Sequence, residues 1–89
     1  MKIKLELFGA SRDFSKKDHL EFNLKEKSSI KDLRNEILNF VENNFKGNNN
    51  YKNLVQSSAF CSEENNIVGD SYKITKDQKI GIIPPIGGG

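Results

Sequence analysis

The sequence closes on Pro84-Pro85-Ile86-Gly87-Gly88-Gly89, and three of its seven glycines stand in those last positions. Each residue type there has a chemical consequence. Pro84 and Pro85 cannot continue a sheet ladder and favour an extended chain, so they end whatever strand precedes them and project the last four residues away from it. Glycines lack Cβ, and a run of them makes a thin thread able to enter a channel too narrow for side chains. At about 3.3 Å per residue the stretch from Pro84 to Gly89 reaches roughly 20 Å. A glycine carboxylate is also sterically open. It can attack the α-phosphorus of ATP, or carry a transferable atom into the active site of another protein. Gly89, with Gly88 before it, is therefore the candidate reactive end. Chain ends are commonly frayed, so the glycines alone would say little. Their position directly after two prolines and an apolar strand pattern makes the case.

Other candidates for chemistry are sparse. Cys61 is the single cysteine, which leaves no intramolecular disulfide framework, and it reads as a small buried hydrophobe in a strand. His19 is the single histidine, beside Asp18, with no ligand partners at metal spacing, and is expected to be an exposed structural residue. No metal site is expected. Fourteen basic against 12 acidic residues leave a net charge of +2, and no basic run exceeds Lys16-Lys17, so nothing points to nucleic acid. No apolar stretch approaches the roughly 20 residues that cross a bilayer, and the alternating opening residues do not form a signal-peptide block. The expectation is a soluble cytoplasmic protein.

An 89-residue chain supports one core and buries about 60% of its unfolded surface, too little for a deep private pocket. Its chemistry is therefore expected to take place against a partner. Ile3, Leu5 and Leu7 alternate with Lys2, Lys4 and Glu6, a half-buried strand over residues 2–8. Leu20, Phe22 and Leu24 repeat the pattern and predict a hairpin, with residues 9–18 as the connecting loop. Ile30, Leu33, Ile37, Phe40 and Val41 recur at helical spacing; Ser29 and Asp32 read as a capping box, and Gly47 as the stop. Residues 46–53 are Asn-rich and predict a loop, Leu54–Cys61 a third strand, Ile67-Val68 a short strand or edge, and Ile80–Ile83 a last strand. The near-continuous apolar run of that last strand suggests a central position covered on both sides. Strand, strand, helix, strands is the order of an α+β, β-grasp (ubiquitin-like) domain. Its mixed four- or five-stranded sheet would carry one main helix across it, with the first and last strands paired in parallel. The domain is expected over residues 1–83, with 84–89 as its tail.

Phe8 falls on the face opposite Ile3, Leu5 and Leu7, where an exposed aromatic can mark an interface. Arg12, in the first loop, is free either to pair with an acidic partner or to stay solvated.

Over nearly its whole length the chain resembles the small subunit of molybdopterin synthase, the MoaD-type sulfur carriers. The resemblance rests on KIKLELFGASRDF, with Phe8 and Arg12 at the family's aromatic and basic positions, on SSIKDLRNEI, and on the closing IGIIPPIGGG. The tail is the specific part. The resemblance implies that Gly89 is adenylated by a ubiquitin-activating-like adenylyltransferase using ATP, and that with a sulfur donor protein the adenylate becomes a thiocarboxylate. The tail would then enter the large subunit of molybdopterin synthase and donate sulfur to cyclic pyranopterin monophosphate, two rounds building the dithiolene. It further implies that the chain is a non-catalytic sulfur-donor subunit binding no cofactor of its own, in a heterotetramer with the large subunit, which holds the catalytic lysines and pterin pocket. By position Phe8, Ile67 and Ile83 would dock against that subunit, with Pro84, Pro85, Ile86 and Gly87 leading into it. The chain departs from the family at Lys76-Asp77-Gln78, at Glu63-Glu64-Asn65-Asn66 and at Gly87. Three further readings stay open: a sulfur carrier for thiazole synthesis, a protein modifier joined through Gly89 to lysines, and a β-grasp binding module whose glycines are incidental.

Overall fold

A computed structural model of the protein describes residues 1–85. Strand β1 (Lys2–Leu7) and strand β2 (His19–Asn23) pair antiparallel, Ile3 opposite Phe22 and Leu5 opposite Leu20. The alternation read from the sequence sets the facing, for Ile3, Leu5 and Leu7 are buried while Lys2 and Lys4 are exposed. The connection between them is more ordered than its Gly, Ser and Asp content predicts: Gly9–Phe14 forms a 3-10 helix. Two side chains account for it. Ser11 is fully buried and donates through its hydroxyl (2.6 Å) and its N–H (3.2 Å) to the Phe8 carbonyl, and Phe14 is buried under the helices.

Helix α1 (Ile30–Asn44) starts on the expected capping box. Ser29 Oγ accepts from the Asp32 N–H, and Asp32 Oδ2 accepts from the Ser29 N–H at 2.8 Å. The carboxylate also accepts from the Ser29 hydroxyl at 3.1 Å. The hydrogen bonds it accepts, the Ser29 backbone N–H first and the hydroxyl next, hold the Asp32 carboxyl below its ordinary value. At the other end Gly47 takes φ +68° and its N–H reaches the Val41 carbonyl, ending the helix where a left-handed residue is needed. Ile30, Leu33, Ile37 and Val41 are fully buried against Ile3, Leu5, Phe60, Ile80 and Ile82 of the sheet, in one core cluster. Burying each such side chain contributes about 1.5–3 kcal/mol of transfer free energy.

The segment after α1 corrects two expectations. In place of a loop over 46–53 and a strand from Leu54 to Cys61, the chain forms helix α2 (Asn49–Ser57), and strand β3 is only Ala59–Cys61. Asn48 Oδ1 caps α2 by accepting from the Tyr51 N–H at 3.1 Å. Tyr51, Leu54 and Val55 then face inward at helical spacing. The β-preference of Val55 yields to this packing, and Arg34 Nη1 closes the helix end on the carbonyls of Val55, Gln56 and Ser58. Tyr51 also joins Phe14, Phe40 and Phe45 in a cluster of tilted and edge-on rings, with centroids 5.0–6.5 Å apart.

Strand β4 (Ile67–Val68) pairs antiparallel with β3, and strand β5 (Gln78–Ile83) pairs antiparallel with β3 and parallel with β1. The sheet order is β2-β1-β5-β3-β4, so the last strand is central, as its apolar run predicts. This is a β-grasp fold with five strands, α1 across one face and α2 as a second, shorter helix.

Candidate docking face and tail exit

Register and pleat define what stands on the sheet face away from α1. Residues directly opposite one another on paired strands share a face. Ile80, Ile82 and Phe60 point into the core, so Lys79, Gly81 and Ile83 of β5 and Ala59 and Cys61 of β3 point the other way. Cys61 lies opposite Gly81 and Ile67, and Ala59 opposite Ile83. On β1, Lys4 stands beside Lys79 and Glu6 beside Gly81. The open face is thereby divided. Its half near the start of β1 carries Lys2, Lys4, Glu21 and Lys79, whereas the half near the end of β5 carries Phe8, Ile83, Ala59, Cys61 and Ile67. The three residues expected to dock on a partner, Phe8, Ile67 and Ile83, fall together on this apolar half. Phe8 is 43% exposed and Ile67 66%, the two large apolar side chains most open to solvent among the described residues.

A shallow groove of about 250 Å³ runs through this half, with Phe8, Gly81, Ile83 and Cys61 along it and Glu6 and Lys79 at its rim. Glu6 and Lys79 approach to 3.6 Å, an exposed pair worth little to stability but fixing the polar border. Cys61 is half-buried here, its Sγ 3.6 Å from the Ser62 carbonyl, and so does not belong to the core. The three-residue strand hides the fact that Phe60, not Cys61, takes the inward position.

Arg12 stands at the end of the 3-10 helix, exposed, with Nε leaning on the Leu7 carbonyl at 3.4 Å. Among the described residues it has no ion-pair partner, which leaves its charge outward near the end of β1. His19 lies 3.0 Å from Asp18, whose carboxyl that contact holds below its usual value. Among the described residues no cluster of His, Cys, Asp or Glu is arranged for a metal, and no helix is long and apolar enough to cross a membrane.

The exit from β5 is the second part of the site. Ile83 and Pro84 are half-buried and Pro85 is exposed. Pro84 lies against Gly9, where an added Cβ would sit 3.9 Å from its ring. Ile86, Gly87, Gly88 and Gly89 lie outside the described residues. The loops around Lys76-Asp77-Gln78 and Glu63-Glu64-Asn65-Asn66 are well made: Asp77 Oδ1 accepts from the Lys2 N–H at 2.9 Å, and Asn65 takes the left-handed conformation (φ +65°) that turns β3 into β4.

Sequence reasoning did not single out Gly81, Ser11 or Arg34. Gly81 left a readable signal: a glycine inside an apolar strand marks a close approach. The approach is that of the Phe8 ring, which supplies the cover over β5 that the apolar run suggests. Ser11 and Arg34 left none, since their partners are distant or backbone groups.

No family model matches the chain, and no curated protein matches it. Among solved structures it is similar to a Pyrococcus furiosus protein assigned as molybdopterin converting factor, subunit 1, with a TM-score of 0.68 and 19% identity over 96% of this chain and 98% of that one. It is also similar to SAMP1 from Haloferax volcanii, with a TM-score of 0.70 and 11% identity over 100% of both chains. At these identities the likeness establishes the shared fold.

Proposed function

We propose that the protein is a sulfur carrier of the MoaD type, with the carboxylate of Gly89 as its reactive group. The observation that carries the reading is a β-grasp body whose central strand runs straight into Pro84-Pro85 and then the closing glycines. A central strand is held on both sides by its neighbours, so the chain leaves it from a rigid base. The likeness in fold to a protein named as subunit 1 of a molybdopterin converting factor supports the same reading. That name implies a second subunit of that factor, and in this reading such a partner receives the tail.

In the proposed sequence a Gly89 carboxylate oxygen attacks the α-phosphorus of ATP on an activating enzyme. Pyrophosphate leaves, and the acyl carbon becomes electrophilic. Hydrosulfide released by a donor protein then attacks that carbon; the C–S bond forms as the C–O bond to AMP breaks, leaving a thiocarboxylate. Phe8, Ile67 and Ile83 seat the apolar half of the open face on the large subunit, and Pro84 to Gly88 lead the loaded carbon to a pterin precursor. The chain supplies the cargo end and the docking face, while the acid–base groups belong to the partner.

Mass spectrometry tests the reading. The protein incubated with ATP, the activating enzyme and a sulfur donor should gain the mass difference of one oxygen-to-sulfur exchange, confined to the peptide that contains Gly89. No such product, with an activating enzyme of shown competence, would refute it. The acceptor separates the close alternatives: co-purification with a pterin-binding subunit supports molybdopterin assembly, with a thiazole synthase the thiazole route, and a ladder of Gly89-dependent conjugates protein modification.

A further inference from the structure

The Phe8 ring lies so close on β5 that a Cβ at Gly81 would have to displace it. An ideal Cβ on Gly81 would stand 2.9 Å from Phe8 Cε2 and 3.5 Å from Cδ2. The Phe8 backbone is held, because its carbonyl accepts both the hydroxyl and the N–H of the fully buried Ser11. The next residue, Gly9, adopts φ +57°, a left-handed backbone that favours glycine, and a Cβ there would stand at ordinary contact distance, 3.9 Å, from the Pro84 ring. Two consecutive residues after β1 thus stand beside the end of β5, Phe8 with its ring over Gly81 and Gly9 next to Pro84, the first residue beyond the strand. An aromatic needed only for docking requires neither contact.

We infer that the Phe8–Gly81 contact, backed by Gly9 against Pro84, is a positioning element that sets the direction in which the chain leaves β5 and so where Gly89 is delivered to a partner's active site. The inference rests on the carrier reading for its purpose, but its geometry stands without it. Phe8 is a positioning residue in this account, since it touches neither the reacting carboxylate nor a substrate. The competing explanation is that the ring merely covers a glycine and stabilises the sheet.

Gly81→Ala separates the two. The new methyl displaces an exposed ring and costs little, because alanine is the better strand residue, so the fold should persist. A double-mutant cycle of Phe8→Ala and Gly81→Ala is read as kcat and KM for adenylation of Gly89 by the activating enzyme. Each single variant should lower kcat/KM about fivefold or more, and the double variant should be no worse than the poorer single, because both remove one contact. Phe8→Tyr, which keeps the ring, should restore the wild-type value. Independent effects that multiply, or a silent Gly81→Ala, would overturn the inference.

A second measurement needs no enzyme. Backbone amide shifts of residues 86–89 in the free protein should differ from wild type in Phe8→Ala and Gly81→Ala alike; unchanged shifts in both would overturn the inference too. If wild-type protein is never adenylated, the carrier reading fails, and these shifts still decide the positioning claim.

Discussion

The Arg34 guanidinium carbon lies 4.9 Å from the centre of the Phe60 ring, which places a cation from α1 over the core-facing aromatic of β3. From there Nη1 donates to the carbonyls of Val55, Gln56 and Ser58 at 2.8–3.0 Å, and Nη2 to Asp70 at 2.8 Å. One side chain ties α1, the end of α2, β3 and the loop after β4. A positive charge there also offsets the negative end of the α2 dipole.

Arg34→Lys should therefore not be conservative. A lysine ammonium is a point donor on a flexible stem and cannot serve three carbonyls and a carboxylate from one plane. Urea unfolding should show a loss of about 2–4 kcal/mol for Arg34→Ala and only partial recovery in Arg34→Lys, since orphaned carbonyls near the core cost most. Equal stability of the lysine variant and wild type would show that the planar fork is dispensable.

The sequence is most legible where the physics is local. The β1–β2 hairpin, the capping box at Ser29 and Asp32 and the central last strand all rest on spacing within a few residues. Helix α2 was obscured because Asn49, Asn50 and Asn53 are poor helix formers while Val55 and Phe60 favour strands. The signal was there in Tyr51, Leu54 and Val55 at i, i+3 and i+4, with Asn48 ahead as a cap. Its end is further held by Arg34, 21 to 24 residues away, which no local pattern reveals. The same limit applies to the site. Phe8 could be placed on the open face by alternation, but its seat on Gly81 depends on the parallel pairing of β1 with β5, 75 residues apart.

Ser29→Ala removes one half of the capping box and should cost about 1 kcal/mol. The Asp32 half is testable by pH. Its folded-state pKa is depressed by the Ser29 hydrogen bonds, so the unfolded chain binds the proton more readily. The contribution is fully present above the ordinary aspartate value of about 4 and is lost as pH falls through the folded value. Asp32→Asn should therefore be less stable than wild type at neutral pH, and the gap should narrow below about pH 4. A gap that is constant with pH would mean that the carboxylate charge plays no part in the cap.

Phe14 joins the 3-10 helix to α1 and α2 through its contacts with Phe40, Phe45 and Tyr51. Phe14→Ala should cost about 3–5 kcal/mol, and Phe14→Leu less, because it leaves a smaller void. The loss should also reach the site, since this helix supplies the Ser11 anchor of Phe8. Amide exchange at Ser11 and Phe8 should rise in Phe14→Ala even under conditions where α1 stays protected. Protection unchanged at both positions would mean that Ser11 holds the turn without help from the aromatic cluster.

The proposed carrier function gives charging and docking to different residues, so on that proposal two variants should fail at different steps. Ile67 is a mostly exposed side chain on the edge strand, so Ile67→Asp should change stability by no more than about 0.5 kcal/mol. Gly89 would still be adenylated and loaded with sulfur, because the carboxylate is untouched. Binding to the large subunit should weaken about tenfold or more, since the aspartate brings an unpaired charge into an apolar contact. One bulky residue added after Gly89 should do the reverse. It blocks adenylation by crowding the carboxylate, while circular dichroism and the unfolding midpoint stay as in wild type. Titration of each variant with the large subunit, beside intact-mass analysis after charging, reads both steps on the same samples. If Ile67→Asp binds as tightly as wild type, the apolar half of the open face is not where the large subunit docks. If the extended protein is charged normally, Gly89 is not the reactive end, however well the body of the protein binds.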